Sequence, residues 1–250
     1  RKATCSTITK GTIMLILGLH GQAGCGKSTV AEYLAAHYGF VQFAFSDSLY
    51  HECQEMFGLA NQSLLRDRVT KELPSELLTL DQCRDDEFCQ RVRSFVFAEN
   101  GHDVSSEPFS PRQILQWVGT EYRRAQDPDY WVKRAAEFVT QMYQLPPYPE
   151  LRPTLFVECG TRFENERDWI VNNQHLGQIW HIHRDATDHM TDPHASAQPL
   201  PILPGERELW NNSTIEELHL AVDLLLSSSV QFVRCEPMDP KETPDGQTPQ

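Results

Sequence analysis

The chain has 250 residues, of which 40% are hydrophobic and 10% aromatic. These values are typical of a compact globular protein and exclude a mostly disordered chain or a disulfide-stapled miniprotein. Lys and Arg total 22 against 35 Asp and Glu, a net charge of −13. The charge balance therefore disfavours nucleic acid and anionic membranes as partners.

The sequence carries no pattern that predicts a membrane or secretory protein. Its longest apolar run, Ile13 to Leu19, is far shorter than the roughly 20 residues of a spanning helix. Residues 1–12 lack the apolar stretch of a secretory signal, and Met14 is a candidate natural start. The seven cysteines are odd in number and form no C-x-x-C pair, which predicts reduced thiols. We therefore expect a cytoplasmic protein.

Short apolar runs alternate with helical patterns along the chain. The runs predict strands over 13–19, 41–45, 154–157, 177–183 and 208–210. Helical periodicity follows Ser28, Asp47, Pro111, Pro128, Asp168 and Thr214. This alternation predicts an α/β fold with three layers and a central parallel sheet.

The remaining segments set the expected domain limits. Residues 60–109 are polar and weakly periodic, which indicates inserted helices rather than more sheet. The segment 185–205 is rich in proline and polar residues and reads as a mobile lid. We expect one domain over 13–234, a disordered or foreign N-terminus over 1–12 and a disordered tail over 235–250.

One phosphate-binding motif dominates the sequence. Gly21 to Ser28 match G-x-x-x-x-G-K-S between a predicted strand and a predicted helix, the setting that this pattern requires. The glycines let successive backbone N–H groups face phosphate oxygens, and the helix adds its positive dipole end. Lys27 is expected to reach the β- and γ-phosphates of ATP, and the Ser28 hydroxyl to bind Mg²⁺. The predicted nucleotide-binding residues are Gly21, Gly24, Cys25, Gly26, Lys27, Ser28 and Thr29.

Several further segments resemble the phage deoxynucleoside monophosphate kinases, a P-loop family related to adenylate kinase. The first joins SPRQILQ (110–116), GTE (119–121) and DPDYWV (127–132). The second is RFENE (162–166), and the third joins HAS (194–196) to NSTIEEL (212–218). Weaker matches are FSDSL (45–49) and KE (71–72). The matches span most of residues 13–226 in the order of the family.

The resemblance implies roles for individual residues in an acceptor site over 46–130 and beyond. Arg112 would grip the acceptor monophosphate, since a guanidinium fork suits phosphate oxygens. Gln116, one helical turn further on, would read the base edge. Arg162 would contact the acceptor or the transferring phosphoryl group, with Asp47 and Trp131 beside the acceptor.

Each of these roles has a structural alternative. Arg112 and Gln116 fit the solvated face of an amphipathic helix equally well. Arg162 could pair with a nearby glutamate, Asp47 could only cap its helix, and Trp131 could belong to the core.

The sequence departs from the family at one position. Family members generally end the central strand with an aspartate before Val-Arg-Phe, and Gly160 stands there in this chain. Glu158 lies two residues earlier and hence on the same side of the strand, so it is the candidate replacement as a Mg²⁺ ligand.

The resemblance implies an ATP- and Mg²⁺-dependent kinase that converts a deoxynucleoside monophosphate into its diphosphate, with Lys27, Arg162 and Arg112 as its catalytic residues. Two alternatives stay open. One is another P-loop small-molecule kinase, of the phosphomevalonate or dephospho-coenzyme A type. The other is a nucleotide-binding sensor or scaffold without catalysis, which the glycine at 160 favours. A homodimer is compatible with the sequence.

Overall fold

A computed structural model describes residues 14–67, 69–146, 148, 151–172, 176–187 and 198–230 of the chain. Its centre is a five-stranded sheet with the order β2-β3-β1-β4-β5, in which every neighbouring pair is parallel. The strands are β1 (Leu15–His20), β2 (Val41–Phe43), β3 (Leu155–Glu158), β4 (Leu176–His183) and β5 (Arg207–Trp210). The predicted α/β class and parallel sheet are confirmed.

Helices cover both faces of the sheet. The helix α1 (Lys27–Tyr38) connects β1 to β2, and α7 (Glu164–Asn172) connects β3 to β4. These two connections run in opposite directions along the sheet, so right-handed crossovers place the two helices on opposite faces. On the α7 face, Ile16, Phe43 and Phe156 of the strands share one buried cluster with α6 (Tyr130–Gln144).

A helical region lies between β2 and β3, as the sequence predicted. It consists of α2 (Asp47–Met56), α3 (Ser63–Arg66), α4 (Asp86–Asn100) and α5 (Pro111–Gln116), and a π-helix (Trp117–Arg124) continues from α5. These elements bury a second apolar cluster that includes Leu78, Phe88, Ile114 and Val118. The region therefore has a core of its own.

The starts of α5 and α6 differ in how well the sequence predicted them. Ser110 caps α5 as expected, since its hydroxyl accepts a hydrogen bond from the Gln113 N–H at 3.2 Å. The helix expected after Asp127 instead begins at Tyr130. Asp127 holds the turn before it by accepting the Asp129 N–H at 3.0 Å and by pairing with Lys133. The π-helix had no counterpart in the sequence prediction.

The terminal predictions lie partly outside the described residues. The N-terminal segment 1–12, the tail 235–250 and the central part of the expected lid all fall there, and the domain limits stay predictions. The chain divides into two compact units between Asn212 and Ser213. The second unit contains α8 (Ile215–Val230), and the Thr214 hydroxyl accepts the Glu217 N–H at its start. None of the described helices has the length and apolar character needed to cross a membrane.

Candidate active site

The loop Gly21–Ser28 leaves the end of β1 and leads directly into α1. Gly24 and Gly26 have φ values of 84° and 114°, in the left-handed region that favours glycine. Gly26 immediately precedes α1, so the loop turns its backbone into the open N-terminus of this helix. Such a curl of backbone N–H groups before a helix is a binding site for phosphate.

Lys27 folds back over this loop. Its Nζ donates hydrogen bonds to the carbonyl oxygens of Gly21 at 2.6 Å and Gln22 at 2.8 Å. No carboxylate of the described residues lies within 4.0 Å of this ammonium group. Burial lowers the pKa of Lys27, and the positive charge of Arg162 nearby lowers it further. The loop therefore holds a cation in place beside its N–H groups.

The other predicted loop residues contribute in different ways. The Ser28 side chain is exposed at the start of α1, where its hydroxyl fits an oxygen ligand of Mg²⁺, and Thr29 is half-buried. The Cys25 side chain is fully buried with its Sγ 3.8 Å from the Lys27 Nζ. Cys25 therefore offers its backbone, and not its thiol, to a ligand of the loop.

Residues after β4 and β5 support the loop from the other side. The Asn211 side-chain amide donates to the Cys25 carbonyl oxygen at 2.8 Å, and Arg184 donates to the Gly24 carbonyl oxygen at 3.3 Å. The sequence analysis missed both residues. Their contacts depend on β4 and β5 lying beside β1, which no local sequence signal reveals.

A second concavity of about 200 Å³ opens at the same edge of the sheet. It is enclosed by the segments after β2 and β3, by α2, by one side of the α5 and π-helix stretch, and by the start of α6. The lining residues are Ala44, Phe45, Ser46, Leu49, Tyr50, Lys71, Arg112, Leu115, Gln116, Gly119, Thr120, Arg124, Trp131, Cys159, Gly160, Arg162, Phe163 and Glu166. We call it the acceptor pocket.

The acceptor pocket brings together four residues that the family resemblance pointed to. Arg112 and Gln116 line it from one side of α5, Arg162 from the loop after β3 and Trp131 from α6. Trp131 also belongs to the core, since it is 3% exposed and its indole N–H donates to the Gly119 carbonyl oxygen at 2.9 Å. Its core and pocket roles are therefore compatible.

The pocket lining is strongly basic. Its cations are Lys71, Arg112, Arg124 and Arg162, and its one acidic residue, Glu166, forms an ion pair with Arg124. Arg112 also lies 3.1 Å from the Glu72 carboxylate at the pocket rim. The Arg162 guanidinium has no ion pair with a carboxylate of the described residues, so the alternative pairing with a nearby glutamate is absent there. A lining of this kind suits an anionic group.

The phosphate loop and the acceptor pocket are adjacent. The Thr161 N–H donates to the Leu19 carbonyl oxygen at 3.0 Å, which ties the loop after β3 to the end of β1. The His20 Nδ1 lies 2.8 Å from the Thr161 carbonyl oxygen, and its Nε2 accepts the Leu200 N–H at 3.1 Å. Burial lowers the pKa of His20 to about 4, which agrees with a neutral ring holding these two bonds. Arg162 follows Thr161 and lines the acceptor pocket, so this bond holds its backbone near the end of β1, where the phosphate loop begins.

Two predicted site residues lie outside the pocket lining. Asp47 accepts a hydrogen bond from the Ala44 N–H at 2.8 Å and pairs with Arg66 at 3.0 Å. Glu158 has no exposed surface, and its oxygens accept bonds from the Phe45 N–H, the Gly160 N–H and the Thr161 hydroxyl. Glu158 therefore does not fit the position of a direct Mg²⁺ ligand, although it does lie beside the site.

Gly160, where the family resemblance implies an aspartate, lines the acceptor pocket. A Cβ built on Gly160 would meet no atom within 4 Å. The pocket thus has room at this position for the carboxylate that the chain lacks.

Lys71 and Arg124 were not predicted as site residues. They reach the pocket from a loop before α4 and from the last residue of the π-helix. Arg124 follows Gln116 by eight residues on the side that also presents Thr120. A basic residue at that spacing is a signal that could have been used.

Two histidines of β4 lie beside carboxylates. His181 lies 2.7 Å from Glu206, and His183 lies 3.2 Å from Glu208. His189 and His194 fall outside the described residues. Within the described ranges, no group of three or more His, Cys, Asp or Glu side chains could hold a metal ion.

The sheet order, the Gly21–Ser28 loop and the helix that follows it define an α/β protein of the P-loop nucleotide-binding class. Comparison with curated proteins adds a particular relative. The chain is 28% identical over 226 residues to a protein of Acanthamoeba polyphaga mimivirus named "putative deoxynucleotide monophosphate kinase". The match covers 88% of this chain and 100% of the relative. The resemblance predicted from the motifs is confirmed by this similarity. No family model matches the chain.

Solved structures give more distant similarities. The dephospho-CoA kinase of Campylobacter jejuni has 14% identity and a TM-score of 0.40, covering 88% of this chain and 100% of that one. A gluconokinase from Sinorhizobium meliloti 1021 has 12% identity and a TM-score of 0.40, covering 90% and 100%.

Proposed function

We propose that this protein is a phosphotransferase that moves the γ-phosphoryl group of ATP to a deoxynucleoside monophosphate. The observation that supports this most strongly is the position of Arg162. It lines the acceptor pocket, and its charge acts on the ammonium group of Lys27 in the phosphate loop. Phosphoryl transfer needs two substrates in line with cations beside the migrating group, and in this proposal Lys27 and Arg162 are those cations.

Each side chain has a distinct task in this proposal. Lys27 and the loop N–H groups bind the donor phosphates. Arg112 binds the acceptor phosphate, and Gln116, one turn along α5, faces the base. Arg162 neutralises the charge that develops between the two phosphates.

A magnesium ion, when bound, would neutralise part of the phosphate charge, and the exposed Ser28 hydroxyl would be its protein ligand. Glu158 has no direct part in metal binding, because its carboxyl is enclosed by donors of the protein. Its place in the proposal is to hold the loop that carries Arg162.

Substrate choice rests on the mimivirus relative and on the shape of the acceptor pocket. The relative's name specifies a deoxynucleotide monophosphate, and the similarity extends over its full length. The pocket offers Trp131 as an aromatic wall, Gln116 as a hydrogen-bonding amide and a cluster of cations for a phosphate. A nucleoside monophosphate presents a matching group for each of these: a flat base for the aromatic wall, a polar base edge for the amide and a phosphate for the cations.

The test is a panel of acceptors incubated with the purified protein and Mg-ATP. The panel contains dTMP, dGMP, dCMP, dAMP, the matching ribonucleotides, mevalonate 5-phosphate and dephospho-coenzyme A, with ADP and phosphorylated acceptor measured together. We expect a diphosphate from at least one deoxynucleotide, in equal amount to ADP. If only mevalonate 5-phosphate or dephospho-coenzyme A is phosphorylated, the protein is a kinase with that acceptor and the deoxynucleotide proposal is wrong. If ATP binds and no acceptor is phosphorylated, a nucleotide-binding sensor is favoured.

A further inference from the structure

The carboxylate of Glu166 connects two walls of the acceptor pocket. It stands in the first turn of α7, and its Oε2 accepts hydrogen bonds from the N–H groups of Arg162 at 2.7 Å and Phe163 at 3.1 Å. Its Oε1 pairs with the Arg124 guanidinium at the end of the π-helix. The side chains of Arg124 and Glu166 are 11% and 4% exposed, so this ion pair is shielded from water.

The neighbouring Asn165 strengthens the same connection. Its amide group donates to the Pro128 carbonyl oxygen at 2.8 Å and to the Asp129 carboxylate at 2.9 Å. Its Oδ1 accepts a bond from Arg124 at 3.3 Å. Two consecutive side chains of α7 therefore bind both the end of the π-helix and the turn before α6.

Arg124 has little freedom in this arrangement. Its guanidinium lies 3.8 Å from the centre of the Phe163 ring and donates to the Pro128 carbonyl oxygen at 3.1 Å. The hydrogen bonds that Glu166 receives come only from guanidinium and backbone N–H donors, which favours its ionised form. The pKa of Glu166 is nevertheless raised overall, because burial outweighs the charge of Arg124 and the two N–H groups, which lower it.

We propose that Glu166 is a positioning residue for phosphoryl transfer, because it fixes the loop of Arg162 and the guanidinium of Arg124 on two adjoining walls of the acceptor pocket. This inference rests on the proposed function. Charge stabilisation in a transition state depends on groups that are already in place, so a loose Arg162 loop lowers kcat more than it weakens substrate binding. The segment RFENE then has one residue that contacts substrate and two, Asn165 and Glu166, that orient it.

A purely structural ion pair is the competing explanation. Breaking a buried pair is destabilising whether or not it has a role in catalysis, because one charge is left without a partner. A loss of stability alone therefore supports neither explanation, and the test needs a kinetic readout on folded protein.

The experiment compares Glu166→Gln, Arg124→Met and the double variant, all measured below their thermal midpoints. Glu166→Gln keeps the size of the side chain but turns an amide donor toward other donors. We expect each single variant to lower kcat at least about tenfold with ATP affinity within about twofold of wild type. The double variant should lose no more than the more impaired single variant, since the two residues act as a unit.

The control on the same helix is Asp168→Asn, an exposed position whose carboxylate lies 3.7 Å from Arg167 and outside the pocket lining. It should leave kcat unchanged. Wild-type kcat in Glu166→Gln, or losses that multiply in the double variant, would overturn the inference. If Glu166→Gln does not fold, Arg124→Met alone carries the test, because it removes the contact of the Glu166 Oε1 and leaves the carboxylate in place; an unchanged kcat in that variant overturns the inference equally. An inactive wild-type protein would instead refute the proposed function.

Discussion

Arg112 and Glu72 form an ion pair at the rim of the acceptor pocket, with 3.1 Å between the guanidinium Nη1 and the carboxylate Oε1. The same segment is fixed by its backbone, since the Arg112 N–H donates to the Lys71 carbonyl oxygen at 3.0 Å. Arg112 is the residue proposed to bind the acceptor phosphate. The Glu72 carboxylate therefore competes with the substrate for this guanidinium.

Removing the charge of Glu72 should strengthen acceptor binding. An exposed ion pair contributes on the order of 0.2–1 kcal/mol, so Glu72→Gln should lower the acceptor KM by a factor of about 1.4 to 5 with kcat unchanged. Glu76→Gln, at an exposed position of the same loop, is the matched control and should leave KM alone. A higher acceptor KM in Glu72→Gln would show that the pair assists binding.

Arg112 itself should affect acceptor binding more than turnover. A charge-assisted hydrogen bond contributes about 1.5–3 kcal/mol, so Arg112→Ala should raise the acceptor KM about tenfold or more at unchanged ATP affinity. The control is Arg134→Ala on α6, whose partner is Glu137 on the same helix. Steady-state kinetics with acceptor and ATP varied separately make the measurement, and an unchanged acceptor KM would remove Arg112 from the site.

Glu158 should make stability fall as pH rises. Burial, with the charge of Glu166 adding to it, raises the pKa of Glu158 from 4.5 to about 8. The folded state then holds a proton that the unfolded state releases, so the free energy of unfolding decreases between about pH 4.5 and pH 8, by up to about 1.4 kcal/mol per pH unit. Glu158→Gln has no proton to lose at this position and should show a flatter profile. Parallel profiles of the two proteins in denaturant titrations at pH 5, 7 and 9 would contradict this assignment.

Restoring a carboxylate at residue 160 should be tolerated and should change the metal requirement. Gly160 lines the pocket, and its Cβ position is open. Gly160→Asp should therefore fold normally and lower the Mg²⁺ concentration that gives half-maximal activity, because carboxylate oxygens are preferred ligands. Gly160→Asn has the same size without the charge. An equal effect of both substitutions would show that the carboxylate has no role.

The fold and half of the site were predictable from local sequence. The Gly21–Ser28 loop is continuous in the chain, and helical spacing alone places Arg112 and Gln116 on one side of α5. Arg124 follows Gln116 at a usable spacing, but the π-helix that carries it to the pocket was not predicted, because this helix has no sequence pattern of its own. Lys71 escaped prediction because it reaches the pocket from a loop.

The sequence pattern predicted the side of the sheet on which Glu158 lies but not its burial. Strand alternation gives the side of the sheet on which a residue lies, and Glu158 is on the expected side. Alternation gives no depth, and the loop after β3 folds over the carboxyl through Gly160 and Thr161. The start of α6 was also not predictable from the local pattern. Asp127 accepts an N–H within its own turn and pairs with Lys133, so the helix begins at Tyr130 and not directly after Asp127.

In the proposed function, the phosphate loop and the acceptor pocket are two halves of one site joined at Arg162. The most direct measurement is a single-turnover reaction with excess enzyme, γ-labelled ATP and the preferred deoxynucleotide, comparing wild type with Arg162→Met. We predict that wild-type enzyme moves the label into the diphosphate and that Arg162→Met slows this step at least about a hundredfold while binding both substrates normally. A single site joined at Arg162 would be refuted if wild type released the label as inorganic phosphate, or if the two proteins transferred it at equal rates.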